Sequence, residues 1–372
     1  MDAAAVPPLG DAQPLRGLRV IELASVLAGP LAGTFFSELG AEVIKIEHPG
    51  TGGDVTRSWR AAGESEAGPS AYYAAANGPK EVRMMDLSQA EDRVQLEELL
   101  SSADILLQNF KASSLPRLGL EPTSLAERHP KLIHVHLKGF LNEPDRPGYD
   151  MVVQAETGFM ALNGEPGRAP FRMPVALMDV LAAHQMRSAA LLALWERERD
   201  GKGSYLEVWL DASGMGGLVN RGTEFLVAGR EPLPLGPEHP QIAPYGEHFN
   251  CACGGAVVLA IGNDRQFAAL CDILGHPEWS TDVRFATNPE RVRHRKALAG
   301  LLSEAFAGQQ RDEVMDAGLA AGIPLGRLQP VGAALNSPTG KAMTYAFHVN
   351  GQEVHNVRQV AFRIQRNGSF ST

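Results

Sequence analysis

A βαβ signature near the N-terminus constrains this chain more than any other feature. Arg19-Val-Ile-Glu-Leu23 is a short β-branched run, and a Gly29-Pro30 break and a helical stretch ending at Gly40 follow it. Ala41-Glu-Val-Ile-Lys-Ile-Glu47 is then a second apolar run, so strand, helix with a glycine stop, and strand succeed one another. The alternation resumes with an amphipathic Arg93–Ala103 segment, the run Asp104-Ile-Leu-Leu-Gln108, a short helix, and Lys131-Leu-Ile-His-Val-His-Leu137. Strands separated by helices imply an α/β fold with a parallel, doubly wound, Rossmann-like sheet.

The second half divides differently. Pro174–Arg199 reads as a long helix, apolar at Val175, Ala176, Leu177, Met178, Val180 and Leu181 and charged at its end. Tyr205–Leu210 reads as a strand, and Asp211 as the N-cap of a helix running to about Ala228. Residues 230–244 hold five prolines without periodicity and form a linker. A smaller α+β domain follows over 245–335, with a strand at Ala256–Ile261 and helices at Asp264–Leu274, Arg291–Ala307 and Arg311–Ala321. The predicted organisation is a flexible 1–14, a large domain over 15–229, that linker, the small domain, and a return of 336–372 to the large domain. Within the return, Gln352–Ile364 could pair as a strand.

Composition narrows the function. The 372 residues carry 34 basic and 43 acidic side chains, a net charge of −9, so no global basic surface exists for nucleic acid or an anionic membrane. Three cysteines, Cys251, Cys253 and Cys271, make no disulfide framework and fit a reducing, cytoplasmic setting. The first residues lack a secretory signal pattern, and no apolar run reaches the ~18 residues of a membrane span. His134 and His136 share a strand face but lack a third nearby ligand, and Cys251-Ala-Cys253 lacks a partner pair, so no metal is expected. Gly50-Thr-Gly-Gly53 with Asp54 and Arg57 has the composition of a phosphate-cradling turn and equally of a plain flexible turn. Two carboxylates, Asp150 and Glu165, occupy loops before the long helix, where a nucleophile or a base could stand.

Taken together, the segments resemble a known family. Leu15–Leu23, Ala28-Gly-Pro30, Leu39–Gly50 and Gly53-Asp54 are similar to the N-terminal signature of the family III CoA-transferases, which also includes the α-methylacyl-CoA racemases. Ala103–Phe110, Arg117-Leu-Gly119, Pro147–Asp150 with Gln154-Ala155, Met173–Leu177, His239-Pro240, Pro244–Gly246 and Gly262–Phe267 continue the likeness in family order, to about Ile364. The resemblance implies a Rossmann-like large domain completed by both chain ends, a smaller domain, and an interlocked homodimer. It also implies coenzyme A bound at Leu27, Ala28, His48, Asn109, Phe110, Arg117 and Lys138, with an acyl-CoA and a small carboxylic acid as partners. The cations among these suit a phosphate cluster.

In such transferases an aspartate attacks the donor thioester, and CoA passes through an aspartyl thioester to the acceptor acid. The resemblance places that aspartate in a Gly-Glu-Pro-Asp-like turn, where this chain has Gly164-Glu-Pro-Gly167. Three readings follow from Gly167. Glu165 or Asp150 substitutes and CoA transfer continues; or Asp150 and a histidine, His129 or His136, move an α-proton as in a racemase; or the chain is a CoA-binding paralogue without turnover. The motif set is closer to the transferases.

Overall fold

The computed structural model describes residues 13–349 and 351–364. Within these, residues 13–160, 172–231 and 335–364 form one compact unit, and Ala161–Phe171 with Pro232–Ala334 form a second.

The first unit is built on a six-stranded sheet of order β3-β2-β1-β4-β5-β6. Its strands are β1 Arg19–Glu22, β2 Glu42–Glu47, β3 Glu81–Met84, β4 Ile105–Gln108, β5 Ile133–Lys138 and β6 Tyr205–Trp209. Every pairing is parallel, with Val20 opposite both Val43 and Ile105. Central strands of such a sheet are covered on both faces, so their residues alternate between two cores and not between core and water. Val20, Ile105, Leu107, Ile133 and Val135 face one core, and Ile21, Ile44 and Leu106 face the other.

The long helix covers the first of these faces. It spans Leu177–Asp200 and buries Met178, Ala182, Met186, Ala190 and Ala193, one stripe at helical spacing. Its small residues let the helix Ala28–Glu38 pack closely in the same cluster, through Ala28, Ala32, Phe35 and Phe36. Gly201 in the left-handed conformation (φ 75°) terminates it. The helix begins at Leu177, three residues after the expected start at Pro174, because Ala176 is non-helical (φ −71°, ψ 71°).

Two other elements depart from the sequence reading. Asp211 does not cap its helix, which starts at Leu210; its carboxylate instead accepts from the Leu141 amide at 3.1 Å and ties down the loop after β5. The chain from Gln352 to Val357 pairs antiparallel with Thr344–Val349 as a separate hairpin and adds no strand to the main sheet. The segment after it still docks on the first unit. Val360 is buried in the first core, and the amides of Gln359 and Val360 donate to Glu38.

The second unit has a three-stranded antiparallel sheet of Tyr245–Asn250, Ala256–Ala260 and Leu325–Arg327. Phe249, Leu259, Phe267, Phe285 and Phe306 fill its core. The stretch expected as one helix from Arg291 is two, Asn288–Arg293 and Arg295–Ala307, because His294 leaves the helical region (φ −104°, ψ 23°). Arg291 is fully buried, donating to the Ala243 and Phe285 carbonyls and pairing with Asp264. Cys251 and Cys271 are buried, while Cys253 stands exposed at the hairpin turn and not in the core.

Candidate functional site

Strand order reverses beside β1, whose neighbours β2 and β4 carry the chain away on opposite sides. The carboxyl ends of strands at such a reversal leave a crevice between diverging loops, where open α/β sheets bind ligands. Two adjoining cavities lie there. The larger, about 800 Å³, is lined from the ends of β1, β2 and β4 by residues including His48, Gly52, Gly53, Arg57, Phe110 and Arg117. The smaller, about 110 Å³, is lined by Leu27, Ala28, Asn109, Lys138, Asp150 and Asp179 among others. Ser25 and Phe110 border both.

Asp150 and all the residues expected to hold coenzyme A therefore gather at this crevice, at or beyond the carboxyl ends of parallel strands. Their states differ. Lys138 is ion-paired with Glu207. His48 accepts the Gly50 amide at Nδ1 (2.9 Å) and sets Nε2 3.2 Å from Asp86, whose carboxyl is held down to about 2 by hydrogen bonds from Ser88 and Gln89. Arg117, exposed, has no ion pair among the described residues, which leaves its guanidinium free for an anion.

Asp150 opens the helix Asp150–Glu156 and reaches across to the start of Leu177–Asp200. Its Oδ1 accepts from the Met178 amide at 2.8 Å and lies 3.4 Å from the Asp179 amide, and its Oδ2 accepts from Gln154 at 2.6 Å. The long helix has no capping side chain of its own, since Ala176 precedes it. Asp150 does that work from 28 residues away.

The same contact brings two carboxylates together. Asp179 lies in the first turn of the long helix, partly buried, at the wall of the smaller cavity. Loss of hydration, and then the charge of Asp150, push its carboxyl up from the ordinary 3.8 to about 7. No side-chain hydrogen bond steadies its oxygens among the described residues. Tyr72, pushed up to about 12 by burial and by the charges of Asp179 and Asp150, is a further polar group near the pair. The sequence reading passed over Asp179. The signal was present: one carboxylate interrupts the apolar run Val175–Leu181, and an acid among core-facing residues is uncommon unless it is paired.

Glu165 belongs to the second unit. Its side chain is 65% exposed and sits 3.9 Å from Arg168, in a turn held by the Gly236 amide donating to the Gly164 carbonyl. Gly167 in that turn has φ +74° and open space around it. Neither histidine of the racemase reading lines either cavity. His136 is buried with Nε2 2.8 Å from the Phe110 carbonyl oxygen and Nδ1 2.9 Å from the Tyr205 hydroxyl, and His129 faces Glu97.

The loop that carries Asp150 is clamped by backbone contact. A Cβ added at Gly148 would lie 2.4 Å from the Gly139 Cα, so only glycine permits this approach. We expect Gly148→Ala to displace Tyr149 and Asp150 and lower kcat/KM of a reaction at this site by about 10- to 100-fold. Steady-state kinetics on folded protein check this; wild-type values would show that the loop tolerates the shift.

Sheet order, the crevice at the reversal and the carboxylate pair define a Rossmann-like α/β protein with its candidate site at the strand carboxyl ends. The family model described as CoA-transferase family III matches residues 15–369, and the chain belongs to that family. It is 36% identical over 336 residues to the succinate–glutarate CoA-transferase of Agrobacterium fabrum, covering 88% of this chain and 83% of that protein. It is 35% identical over 329 residues to the acetyl-CoA:oxalate CoA-transferase of Acetobacter aceti, covering 87% and 83%. Among solved structures, a CAIB/BAIF family protein from Brucella suis superposes with a TM-score of 0.82 at 35% identity, covering 95% of this chain and 93% of that one.

Proposed function

We propose that this protein transfers CoA between an acyl-CoA thioester and a free carboxylate, and that Asp179 is the carboxylate that carries the acyl group and then the CoA. The observation that carries this reading is the placement of Asp179: partly buried, without hydrogen bonds to its oxygens among the described residues, and at the wall of the small cavity that adjoins the large one. A desolvated carboxylate is a stronger nucleophile once ionised. The nucleophile is then not missing at Gly167; it is supplied twelve residues later, on a helix and not on a turn.

The chemistry balances without another reagent. An Asp179 oxygen attacks the thioester carbonyl, the C–S bond breaks, CoA leaves as thiolate, and a mixed anhydride forms. The thiolate attacks the aspartyl carbonyl and releases the donor acid, leaving CoA on Asp179 as a thioester. The acceptor carboxylate attacks that thioester to form a second anhydride, and the thiolate then takes the acceptor's acyl carbon and frees Asp179. Each attack builds charge on a carbonyl oxygen. The helix Ala28–Glu38 begins at this cavity, and the positive end of its dipole opposes that charge. Asp150 positions Asp179 through the helix amides and, by its charge, adds to the loss of hydration that raises the pH at which Asp179 ionises.

The large cavity suits the nucleotide end of CoA: Arg117 is free, and Gly52 and Gly53 bring backbone close to the ligand space. Succinyl-CoA with glutarate or oxalate is the first pair to assay, because the relatives are named for those acids. The interlocked homodimer belongs to the same proposal, and exposed apolar side chains such as Leu192, Trp195, Val219, Leu226 and Val227 are surface it would cover. Because neither His129 nor His136 borders either of the two crevice cavities, the racemase reading lacks its second acid-base group there.

Two measurements test the reading. Incubation with succinyl-CoA followed by hydroxylamine and peptide mapping should mark Asp179 as a hydroxamate; a mark on Glu165, or none at all, overturns it. The transfer rate should fall on the acid side near pH 7, as Asp179 becomes protonated. Asp150→Asn removes the neighbouring charge and should move that limb to lower pH. An unmoved limb would show that another group sets it.

A further inference from the structure

The elbow between β1 and the helix Ala28–Glu38 contains one of the two non-glycine residues with positive φ among the described residues, Val26 and Val219. Val26 has φ +72°, the left-handed region that a β-branched residue rarely enters. Its neighbours Ser25, Leu27 and Ala28 line the cavity of Asp179. Conformations of this kind persist only where surrounding groups over-determine them.

Here the surrounding groups are buried charges. The Val26 amide donates to Asp54 Oδ2 at 3.2 Å. That oxygen is 3.1 Å from Lys45 Nζ, which also donates to the Ala24 carbonyl at 2.8 Å and to Glu22 at 3.0 Å. Glu22 in turn lies 2.9 Å from Lys80, whose Nζ donates to the Pro30 carbonyl at 2.7 Å. The elbow is thus held at Ala24 and Pro30 by the two lysines and between them by Asp54. Asn109 fixes Ser25 from the other side, accepting from its amide and donating to its carbonyl at 3.1 and 3.0 Å. The side chains of Glu22, Lys45, Asp54 and Lys80 are almost wholly buried. Asp54 Oδ1 is itself held by the amide and hydroxyl of Thr56, at 3.0 and 2.8 Å.

We propose that Asp54 is a positioning residue for CoA transfer, locking Val26 in the left-handed conformation so that the Ser25–Ala28 elbow meets the thioester in register with Asp179. This rests on the reading of Asp179 given above. Asp54 does not touch the reacting atoms; it acts through the backbone of the elbow. It also follows the Gly52-Gly53 turn of the large cavity, so one carboxylate ties the nucleotide groove to the acyl cavity.

The test uses glycine, which takes φ +72° without a Cβ conflict. Kinetics of succinyl-CoA and glutarate should show that Asp54→Ala lowers kcat by about 10- to 100-fold with KM for succinyl-CoA changed less than about threefold. Adding Val26→Gly should recover at least about fivefold of the lost kcat, because the elbow no longer needs the lock. A purely structural role for Asp54 predicts no recovery, since glycine contributes nothing to the buried charge balance. If Asp54→Ala does not yield folded protein, Asp54→Leu, of similar size and with no acceptor for the Val26 amide, gives the same comparison with and without Val26→Gly. Unchanged kcat in the Asp54 variants, or equal kcat with and without Val26→Gly, overturns the role of Asp54 alone. A wild-type protein that forms no adduct at Asp179 overturns the proposed function and the role of Asp54 with it.

Discussion

Asp179→Asn should abolish CoA transfer, lowering kcat by about 10³-fold or more, and should at the same time make the protein more stable at alkaline pH. The loss of activity follows from chemistry: an amide at this position neither attacks a thioester nor leaves again as a carboxylate. The gain in stability follows from linkage. Folding raises the Asp179 carboxyl from about 3.8 to about 7, so between these values the native state binds a proton that the unfolded chain has already released. Stability therefore falls as pH rises through that window, and the full penalty is present above it. At 1.36 kcal/mol for each unit, ionised Asp179 costs the fold up to about 4 kcal/mol. Asparagine cannot ionise, so the difference should be largest at pH 8 and should vanish near pH 4. Urea unfolding of both proteins at the two pH values measures it. Equal stabilities at pH 8 would show that Asp179 is better hydrated than its position indicates, and retained transfer would remove it from the mechanism.

Glu22→Ala should destabilise the protein by about 3–5 kcal/mol, enough to unfold much of it at 37 °C. Glu22 is fully buried and pairs with two ammonium groups, Lys45 at 3.0 Å and Lys80 at 2.9 Å. Burial already pulls Lys80 down to about 8, and Glu22 is the main group that holds it up. Without Glu22, Lys45 keeps Asp54, but Lys80 keeps only the neutral oxygens of Pro30, Ala76 and Asn77. Removing one partner of a buried pair costs far more than removing both. The double variant Glu22→Leu with Lys80→Met leaves Lys45 balanced by Asp54 and should recover most of the loss. Thermal melts of the two variants decide this. A Glu22→Ala protein as stable as wild type would mean that water reaches Lys80.

Much of the large unit is readable from the chain alone. β-branched runs at Arg19–Leu23, Ala41–Glu47, Asp104–Gln108 and Lys131–Leu137, separated by helical stretches, admit hardly any arrangement but a parallel sheet, because short crossovers of one hand place each helix back on the sheet. The motifs of the turns after those strands carried the family. The family resemblance proposed Leu27, Ala28, His48, Asn109, Phe110, Arg117 and Lys138 as CoA contacts, and with Asp150 they all line the crevice. The sequence reading did not find Asp179. That residue sits inside an apolar periodic run and reads locally as a helix position.

What the sequence by itself determined is therefore the alternation of strands and helices and the parallel class of the sheet, which follow from local periodicity and glycine punctuation. Only the tertiary structure decided which carboxylate is exceptional. Ala176 gives the long helix no cap, so Asp150 comes from 28 residues away to accept the Met178 amide, and in doing so it sets its charge beside Asp179. Desolvation and like-charge repulsion act through space and depend on what is packed nearby, not on neighbours along the chain. Val26 is decided in the same way: its backbone angle is held by Asp54, Lys45 and Asn109, and no local pattern around Ser25-Val-Leu27 announces it.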